Sequence, residues 1–432
     1  MRAVLGSKAF ALVALAAAGA SCRGSSSGGN AAMSSAPSRA SCAADNAGLT
    51  LPQGFCAQIA ADSIGRARHM AALPNGDLAV ALEGDTGGVM VLRDGDGDGV
   101  METRRKFGPR GGTGIAFSRG ALYFGLNNTV LRWTWPSGAL EPAGPADTVV
   151  SGLAAGRQHS AKTIAVTNDG VLFVNIGVPS NSCQERDRQV GSMGMRPCGH
   201  LDSAGGIWRF AATQTRQTQA SGRRFATGLR NVVALGIDPA NSALYGVSHG
   251  RDDLARMFPA IYTPQQNAEK PAEELFLIED GKDYGWPDCM YDPDLRQKVL
   301  TPEYGGDGRS VGRCGEVGQP LVGFPAHYAP NAIAVYRATQ FPAQYRGGMF
   351  IAFHGSWNRA PMPQEGYNVV FQPLSNGRPS GQWTVFAEGF RGPDRTAQAQ
   401  RRPTGLAVGA DGSLYVSDDR QGRIYRIVYR GM

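Results

Sequence analysis

The chain has 432 residues, 42% of them hydrophobic, which is enough to bury a large core. Its formal net charge of +7 is small for this length, and its Lys and Arg residues form no basic stripe interleaved with aromatics, so nucleic-acid binding is not expected. The 59 Gly and 26 Pro residues, together with a lack of long helix-forming runs after the N-terminus, favour short strands joined by tight turns.

The N-terminal segment has the features of an export signal. Residues 1–22 carry Arg2 and Lys8 before an apolar stretch that ends in small residues. This stretch is too short and too rich in Ala to predict a membrane span. Cys22 follows Gly-Ala-Ser, as in a bacterial lipoprotein processing site, but the usual Leu three positions earlier is missing. Two interpretations stay open: a periplasmic or secreted protein, or an outer-membrane lipoprotein with a lipid anchor on Cys22.

Six further cysteines follow Cys22, and an exported protein can keep them oxidised. Sequence alone allows many pairings among six cysteines, but these fall into three couples that are close along the chain. They predict the disulfides Cys42–Cys56, Cys183–Cys198 and Cys289–Cys314. A zinc cluster is the alternative, and it is disfavoured because no CxxC spacing occurs.

An internal repeat determines the predicted fold. Each copy has an apolar strand, a turn rich in Gly, Asn, Asp or Pro, and a second apolar strand, and a third strand follows nearly every copy. Such small sheets cannot bury both faces alone, so they stack radially into a β-propeller. We therefore predict a six-bladed β-propeller of four-stranded antiparallel blades over 46–432, after a Gly/Ser-rich linker over 23–45. The copies are residues 68–82, 112–126, 159–177, 231–250, 331–355 and 402–419.

One position of the repeat carries a residue with distinctive chemistry. His159 stands just before the first strand of the third copy, in a chain with only six histidines. A histidine has a pKa suited to taking a proton near neutral pH. At or near this position the other copies have residues that also suit the mouth of a propeller channel: Arg68, Gly112, Asn231, Asn331 and Arg402.

A short acidic loop follows the first copy. The segment "DGDGDG" (94–99) places Asp94, Asp96 and Asp98 at alternate positions, as in loops that bind Ca²⁺ through hard oxygen ligands. The twelfth position of the pattern is Arg105 rather than Glu, so the loop is not an EF-hand. A structural calcium site and an ordinary polar hairpin tip are the two interpretations.

Charged and amide side chains recur where the apolar strands begin or end. Arg230 and Asn231 precede the first strand of the fourth copy, and "SHGRDDL" (248–254) follows its second strand. The segment "AFHGSWNRAP" (352–361) occupies the corresponding place in the fifth copy, and "QRRPTGLAV" (400–408) opens the sixth. Buried charges are costly unless they are paired, so four such places at equivalent positions indicate a ligand site at one end of the channel.

These segments resemble the glucose/sorbosone dehydrogenase family, the soluble sugar dehydrogenases that depend on pyrroloquinoline quinone (PQQ), and most of all its L-sorbosone and pyranose dehydrogenase branch. The combination of "GLRN", "GKDYGWP" and "HGSWNR" in this order is specific, and similar segments run from about residue 66 to the C-terminus. The resemblance implies a six-bladed propeller, in agreement with the repeat count. It also implies that PQQ, a planar quinone with three carboxylates, binds over the channel mouth and is bridged by Ca²⁺.

The resemblance assigns ligand-binding roles to individual residues. Arg230 and Asn231 would hold a PQQ carboxylate and the quinone oxygens, and Gly250 would lie beside the calcium ion together with His249. Ca²⁺ accepts backbone carbonyls as readily as side chains. The full set of implied cofactor-binding residues is Arg230, Asn231, His249, Arg359, Arg402 and Lys162, with the adjacent Arg401 as the alternative to Arg402.

The implied catalytic residues are His159, as the general base, and Arg230, which with Ca²⁺ polarises the quinone. Oxidising a sugar hydroxyl or a hydrated aldehyde removes a proton from oxygen and a hydride from carbon, and a neutral imidazole can take the proton. Glucose-oxidising members have an acidic residue beside the base, whereas Gln158 precedes His159 here. Reoxidation needs an external acceptor, a cytochrome or a quinone, because the chain has no CxxCH haem motif.

The sequence therefore predicts an exported, PQQ- and calcium-dependent dehydrogenase that acts on a sugar or a related alcohol or aldehyde. Two alternatives stay open. One is a calcium-dependent lactonase, whose site needs several carboxylates and an Asn converging on one metal. The other is a non-catalytic ligand-binding propeller, since fold alone does not establish an activity.

Overall fold

The predicted six-bladed β-propeller is confirmed by the computed structural model, which describes residues 42–392 and 398–431. Each blade is a four-stranded antiparallel sheet whose strands follow one another up and down. The first strands of all six blades line a central cavity of about 180 Å³, so the first strand of each blade is innermost. The predicted export signal, Cys22 and most of the predicted linker lie outside the described residues.

The blades are numbered here in chain order, and their strands are given from the innermost outward. Blade 1 contains Arg66–Ala72, Leu78–Glu83, Gly88–Arg93 and Thr103–Phe107, and blade 2 contains Gly112–Ser118, Ala121–Leu126, Val130–Thr134 and Asp147–Ser151. Blade 3 contains Ile164–Val166, Val171–Ile176, Gly206–Ala211 and Arg223–Thr227, and blade 4 contains Ala234–Ile237, Leu244–Ser248, Glu273–Leu277 and Val322–Phe324. Blade 5 contains Pro330–Val335, Met349–Phe353, Asn368–Gln372 and Thr384–Ala387, and blade 6 contains Pro403–Val408, Leu414–Asp418, Arg423–Tyr429 and Phe55–Ala61.

Smaller elements decorate this framework. Short parallel strands extend blades 2 and 3, namely Gln217–Thr218 and Lys282–Asp283. Two separate hairpins pair Cys289–Asp292 with Gln297–Leu300 and Leu374–Ser375 with Arg378–Pro379. The α-helices are Leu254–Met257 and Pro264–Glu269, and the 3₁₀ helices are Asn46–Gly48, Gly199–Asp202, Gln219–Ser221, Pro302–Tyr304, Gly312–Gly315 and Ala343–Tyr345. None of the helices in the described residues is both long and apolar enough to span a membrane.

Turn chemistry and burial explain why these segments form strands. Gly76 and Gly170 have φ values of 94° and 90°, a left-handed conformation that glycine adopts without strain, and each closes the first hairpin of its blade. All five residues of the second strand Met349–Phe353 are buried. A strand that is apolar on both faces suits this position, because each propeller sheet is packed between two neighbouring sheets.

The N-terminal strand closes the ring. Phe55–Ala61 pairs antiparallel with Arg423–Tyr429, with Phe55 opposite Tyr429, so the fourth strand of blade 6 precedes blade 1 in the chain. The Phe55 ring lies 4.8 Å from that of Phe341 and 5.0 Å from that of Phe386, which joins blades 5 and 6 through an aromatic core. Closure removes the unpaired sheet edge that an open propeller would expose.

All three predicted disulfides are confirmed. Cys42 is bonded to Cys56 at the start of the closing strand. The other two bonds, Cys183–Cys198 and Cys289–Cys314, each clamp one loop. Cys42 belongs to the segment that the sequence assigned to the linker, so the end of that segment is fastened to the propeller.

The up-and-down topology defines two ends of the channel. At one end, called the mouth below, the first strand of each blade begins and the second strand ends. The two α-helices follow the second strand of blade 4 and therefore belong to the mouth. The acidic loop 94–99 joins the third and fourth strands of blade 1, so it lies at the opposite end.

Candidate active site

Irregular strand starts place polar side chains at the mouth. The register between first and second strands shifts between Ala67 and Met70 in blade 1, and similar shifts occur at the starts of blades 2, 5 and 6. A bulge bends its strand and re-aims the side chains within it. The residues inside these irregular starts include five that are polar and buried: Arg68, His69, Thr113, Asn331 and Thr404.

Five of the six histidines have a ring nitrogen in a hydrogen bond at the mouth. The Nε2 atom of His249 lies 2.7 Å from the carbonyl oxygen of Pro330, and the Nε2 atom of His69 lies 2.7 Å from that of Asn331. Burial is the main cause that lowers the pKa of both His69 and His249 to about 4. These imidazoles are therefore neutral at pH 7. The five are His69, His159, His249, His327 and His354.

His159 has the geometry of a base whose outer nitrogen is open. Its Nδ1 atom lies 2.6 Å from the carbonyl oxygen of Val178, which can only accept, so Nδ1 carries the proton and Nε2 is the basic atom. Within the described residues Nε2 has no hydrogen-bond partner. Burial, followed by the positive charge of Arg230, lowers the pKa of His159 to about 3.

The backbone around His159 is held by a close approach. His159 has a φ of 51°, and Gly177 from the end of the second strand packs against it. A Cβ atom added to Gly177 would meet the Asn231 Oδ1 atom and the His159 Cβ atom, each at 2.7 Å. Only glycine fits there, and the contact brings the predicted base next to the predicted cofactor ligand Asn231.

Arg230 is buried at the centre of a hydrogen-bond network. Its Nη1 atom donates to the carbonyl oxygen of Gly250 over 2.9 Å, and its Nε atom donates to the carbonyl oxygen of Asn181 over 3.0 Å. The Nη2 atom lies 3.2 Å from an Oδ atom of Asp252. The sequence pattern predicted roles for Arg230 and Gly250 but none for Asp252. The Asp252 carboxylate holds the Arg230 guanidinium in place.

Asp252 gathers donors from three other mouth loops. Arg188 donates to its Oδ2 atom over 2.8 Å, and Asn358 donates to its Oδ1 atom over 2.7 Å. Burial opposes its ionisation, but Arg230 and Arg188 hold the pKa of Asp252 well below its usual range. The ring of His327 approaches the same carboxylate at 3.7 Å. Asp252 is therefore a charged anchor for loops from different blades.

A second buried carboxylate supports the predicted metal ligand. Glu273 accepts from the amide of Gly250 over 2.7 Å and from the amide of Ala329 over 3.1 Å. Burial raises the pKa of Glu273 to about 7. The side chain thus ties the loop of blade 4 to the start of blade 5 and leaves the Gly250 carbonyl directed elsewhere, toward Arg230.

The opposite side of the mouth contains a separate charge cluster. The Nε2 atom of His354 lies 3.0 Å from both carboxylate oxygens of Asp419, and Arg68 donates to the same carboxylate over 2.8 Å. Arg402 donates to the carbonyl oxygens of His354 and Gly355 over 3.0 and 2.9 Å. It makes no ion pair with a described carboxylate. Aligning the residues that follow each second strand, including His354 and Asp419, would have found this cluster from sequence.

Two other predicted residues, Lys162 and Arg359, stand apart from these contacts. Lys162 is fully buried and donates to the Ser160 carbonyl oxygen over 2.9 Å, and burial alone lowers the pKa of Lys162 to about 8. Arg359 donates to the carbonyl oxygens of Ala268 and Ala326, so it fastens two loops together. The roles predicted for Lys162 and Arg359 in binding the cofactor stay predictions.

The acidic loop forms its own cluster far from the mouth. Carboxylate oxygens of Asp94, Asp96 and Asp98 lie within 4.8 Å of one another. They accept hydrogen bonds from amides of their own loop, for example from Gly97 to Asp94 over 2.7 Å. Because the loop is at the other end of the channel, these residues and Gly250 cannot share one metal. Calcium binding by this loop stays a prediction.

Unsatisfied polar atoms mark where a ligand fits. The Nε atom of Arg68, the Nδ1 atom of His69 and the Oγ1 atom of Thr113 are buried and have no hydrogen-bond partner among the described residues. Two cations at the mouth, the buried Lys162 and the half-buried Arg402, also have no carboxylate ion-pair partner among the described residues. Buried polar groups are costly unless they are paired, so the cations suit an anionic ligand. The Nδ1 atom of the neutral His69 ring, whose Nε2–H donates to the Asn331 carbonyl oxygen, suits a ligand group that donates a hydrogen bond.

Comparisons with known proteins agree with this fold and show the family. A family model described as TrAA12-like matches residues 49–430. The chain belongs to the TrAA12-like family. This confirms the predicted family relationship, because its relatives include the PQQ-dependent sugar dehydrogenase of Hypocrea jecorina, which is 26% identical over 339 residues, or 73% of each chain. The PQQ-dependent pyranose dehydrogenase of Coprinopsis cinerea is 27% identical over 239 residues, 48% of this chain and 31% of that protein.

Solved structures show the same propeller. The calcium structure of the family AA12 enzyme from Trichoderma reesei superposes with a TM-score of 0.73 at 21% identity, covering 88% of this chain and 97% of that chain. The holo PQQ domain of the Coprinopsis cinerea pyranose dehydrogenase superposes with a TM-score of 0.71 at 20% identity, covering 88% and 97%. Among the curated relatives, the chain spans about half of an uncharacterized Borreliella burgdorferi protein, which is 29% identical over 205 residues, 47% of this chain and 48% of that protein.

Proposed function

We propose that this protein is a PQQ-dependent dehydrogenase that oxidises a sugar or a related alcohol or aldehyde. The observation that carries the proposal is a neutral imidazole with an open Nε2 atom on a channel mouth that holds cations without carboxylate ion-pair partners among the described residues. His159 provides the base, and the half-buried Arg402 provides such a cation. The family relationship and the names of the relatives support the same assignment.

The donor set fits PQQ, which is a tricarboxylate. Arg230 and Asn231 would hold one side of the cofactor, and Arg402, with the Arg68 Nε atom, which makes no hydrogen bond and lies 3.7 Å from the Glu83 carboxylate, would hold the other. When bound, PQQ supplies an electrophilic quinone carbon that accepts the hydride. The residues of the chain bind and orient the anion, and Arg230 directs positive charge at the site where negative charge develops.

Calcium is the proposed metal at this site, with the carbonyl oxygen of Gly250 as a ligand. That oxygen belongs to a loop that Glu273 and Asp252 hold in place from two sides. Hard oxygen ligands suit Ca²⁺, and backbone carbonyls are frequent among them. His249 lies beside Gly250, but its Nε2 atom is engaged with Pro330, so it shapes the loop.

The proposed role of His159 follows from its hydrogen bond. The Val178 carbonyl oxygen holds the proton on Nδ1 and fixes the ring, so Nε2 can take the proton of the substrate hydroxyl. The electrons then leave for an external acceptor, which we propose is a cytochrome or a quinone. Three disulfides agree with the proposed periplasmic or secreted location, because they persist in oxidising compartments.

The test combines binding with turnover. We expect the protein to bind PQQ in a calcium-dependent manner by calorimetry and to gain dye-reducing activity on aldoses. His159→Ala should keep PQQ binding and lose about 10²- to 10⁴-fold in kcat, because it removes the general base. His200→Ala is the matched control, since the His200 ring is the one histidine ring without a hydrogen bond to a described residue.

Two results would contradict the proposal. Absence of heat on adding PQQ with Ca²⁺ would favour a propeller that binds a different ligand. Lactone hydrolysis without any dye reduction would favour the lactonase alternative. Full activity of the His159→Ala variant would reject His159 as the base while leaving the cofactor assignment intact.

A further inference from the structure

The most exposed large apolar side chain in the described part of the chain stands at the mouth. Trp357 is 70% exposed and belongs to the loop that follows the second strand of blade 5. An indole carries a large apolar surface, and leaving it in water forgoes the stabilisation that its burial would give. The position of Trp357 is therefore a candidate for contact with a ligand.

The loop holds Trp357 firmly on both sides. The Ser356 hydroxyl accepts from the Glu365 amide over 2.8 Å, and the Ser356 amide donates to the Glu365 carbonyl oxygen over 2.8 Å. On the other side, Asn358 donates to the Asp252 carboxylate over 2.7 Å. Trp357 is thus an exposed side chain on a backbone that is fixed before any ligand binds, which lowers the entropic cost of binding.

Neighbouring side chains of the same loop hold the structure together through ion pairs or hydrogen bonds, whereas the indole of Trp357 does not. His354 pairs with Asp419, and Arg359 donates to two backbone carbonyl oxygens. The indole of Trp357 makes no hydrogen bond or ring contact with any described residue. Within residues 354–359 it is the one large side chain whose presence the packing does not explain.

The loop that carries Trp357 is also linked by contacts to the proposed reaction site. The carboxylate that holds the adjacent Asn358 also holds Arg230, 3.2 Å from the guanidinium Nη2 atom. Arg230 and Asp252 are both close enough to His159 to shift the pKa of its imidazole. One set of contacts therefore runs from the rim at Trp357 to the proposed base.

We propose that Trp357 determines specificity by stacking its indole on the C–H face of a pyranose ring whose hydroxyl is presented to His159. A pyranose has a face of C–H groups that matches an aromatic plane, and its hydroxyls remain free to bond elsewhere. A short open-chain aldehyde has no such face. This inference rests on the proposed function and narrows its substrate class to cyclic sugars.

The experiment compares two substrate shapes in the PQQ- and calcium-loaded enzyme. We expect Trp357→Ala to lower kcat/KM for glucose and xylose about tenfold or more, mainly through KM, because a lost apolar contact in a binding site costs this much. Trp357→Phe should restore most of that loss. The kcat/KM for glyceraldehyde and the Kd for PQQ should stay within about twofold of wild type, since neither uses the indole.

A second readout does not depend on turnover. Adding sugar to the loaded enzyme should protect tryptophan fluorescence from acrylamide, and the protection should disappear in Trp357→Phe. Val385→Ala is the matched control, because Val385 is 43% exposed on the outermost strand of the same blade.

Each contrary result has a separate meaning. Unchanged kinetics and unchanged protection in Trp357→Ala overturn the inference. An equal loss for glyceraldehyde, or a weaker Kd for PQQ, also overturns it, because the indole would then serve the whole site or the cofactor. Failure of wild-type protein to bind PQQ would instead refute the proposed function itself.

Discussion

At the scale of single residues, a histidine base needs one ring nitrogen committed to the protein and the other left open. His159 has this division, but the charge of Arg230 adds to burial in lowering its pKa to about 3. A base works best when its pKa is near the operating pH. An anion bound beside Arg230 would cancel part of that positive field and raise the pKa of His159. Binding of an anionic ligand and the basicity of His159 are therefore coupled through the guanidinium of Arg230.

Arg402 and Arg359 allow a direct test of which cation serves the cofactor. Arg402→Gln should weaken PQQ binding about tenfold or more, because it removes a charged donor that has no ion-pair partner within the described residues. Arg359→Gln should leave the Kd for PQQ nearly unchanged and lower the unfolding midpoint, since Arg359, unlike Arg402, has a carboxylate partner, Glu365, at 3.7 Å and also donates to backbone carbonyl oxygens. Calorimetric titration of both variants, with urea unfolding beside it, measures the difference. The reverse pattern would show that Arg359 binds the cofactor.

At the scale of elements, the blades are held as a ring by one strand from the other end of the chain. Phe55–Ala61 completes blade 6, and its first side chain packs into the aromatic core between blades 5 and 6. The mouth depends on this closure, because Arg68 of blade 1 and Asp419 of blade 6 meet across it. The closing strand therefore supports the site as well as the fold.

Phe55→Ala should lower the free energy of unfolding by about 3–5 kcal/mol, as large-to-small changes of a buried aromatic do. Phe55 is 7% exposed and contacts Phe341 and Phe386 edge-on. Chemical denaturation followed by far-UV circular dichroism measures the loss. Val100→Ala, at a site that is 43% exposed, should change the free energy by less than about 0.5 kcal/mol. A similar small change for Phe55→Ala would show that the ring is closed mainly by other contacts.

The closing strand also shows what the sequence could and could not predict. The six blades follow from a repeated apolar pattern, and the mouth residues follow from polar interruptions of that pattern. "FCAQIAA" has no turn signal that connects it to a blade, so pattern alone cannot assign its partner. Arg359 and Arg402 are likewise the same residue type near strand ends, and only the carbonyl oxygens around each one distinguish their roles. The sequence shows that Asp252 is a charged residue near a strand end. Its function depends on contacts with side chains of other blades, which the sequence pattern does not predict.

At the scale of the whole molecule, the buried histidines make stability depend on pH. His69, His159 and His249 have pKa values lowered from 6.5 to about 4, 3 and 4. As the pH falls below about 6.5, the unfolded chain binds these protons and the folded chain does not, so stability is lost. Glu273 has the opposite effect on stability, because burial raises its pKa from 4.5 to about 7. As the pH falls, the folded chain binds this proton before the unfolded chain does, and this stabilises the fold.

The free energy of unfolding should therefore fall between pH 6.5 and 4 with a net uptake of about two protons, or on the order of 3 kcal/mol per pH unit. Urea unfolding of the cofactor-free protein at several pH values measures this slope. Glu273→Gln removes the opposing proton and should steepen the slope. A constant free energy over this range would show that these groups exchange protons with solvent before unfolding.

The pairing of Phe55–Ala61 with Arg423–Tyr429 has a consequence for how the protein is made. The strand needed to finish the ring is synthesised before blade 1, and its partner after blade 5. Blades 1 to 5 are formed from strands close together in the chain and can assemble as they emerge, but the closing strand has no partner until blade 6 has been made. Contacts between such distant segments are slow to form. Until they form, an apolar strand with an unpaired edge is exposed, and such strands make incomplete chains prone to aggregate.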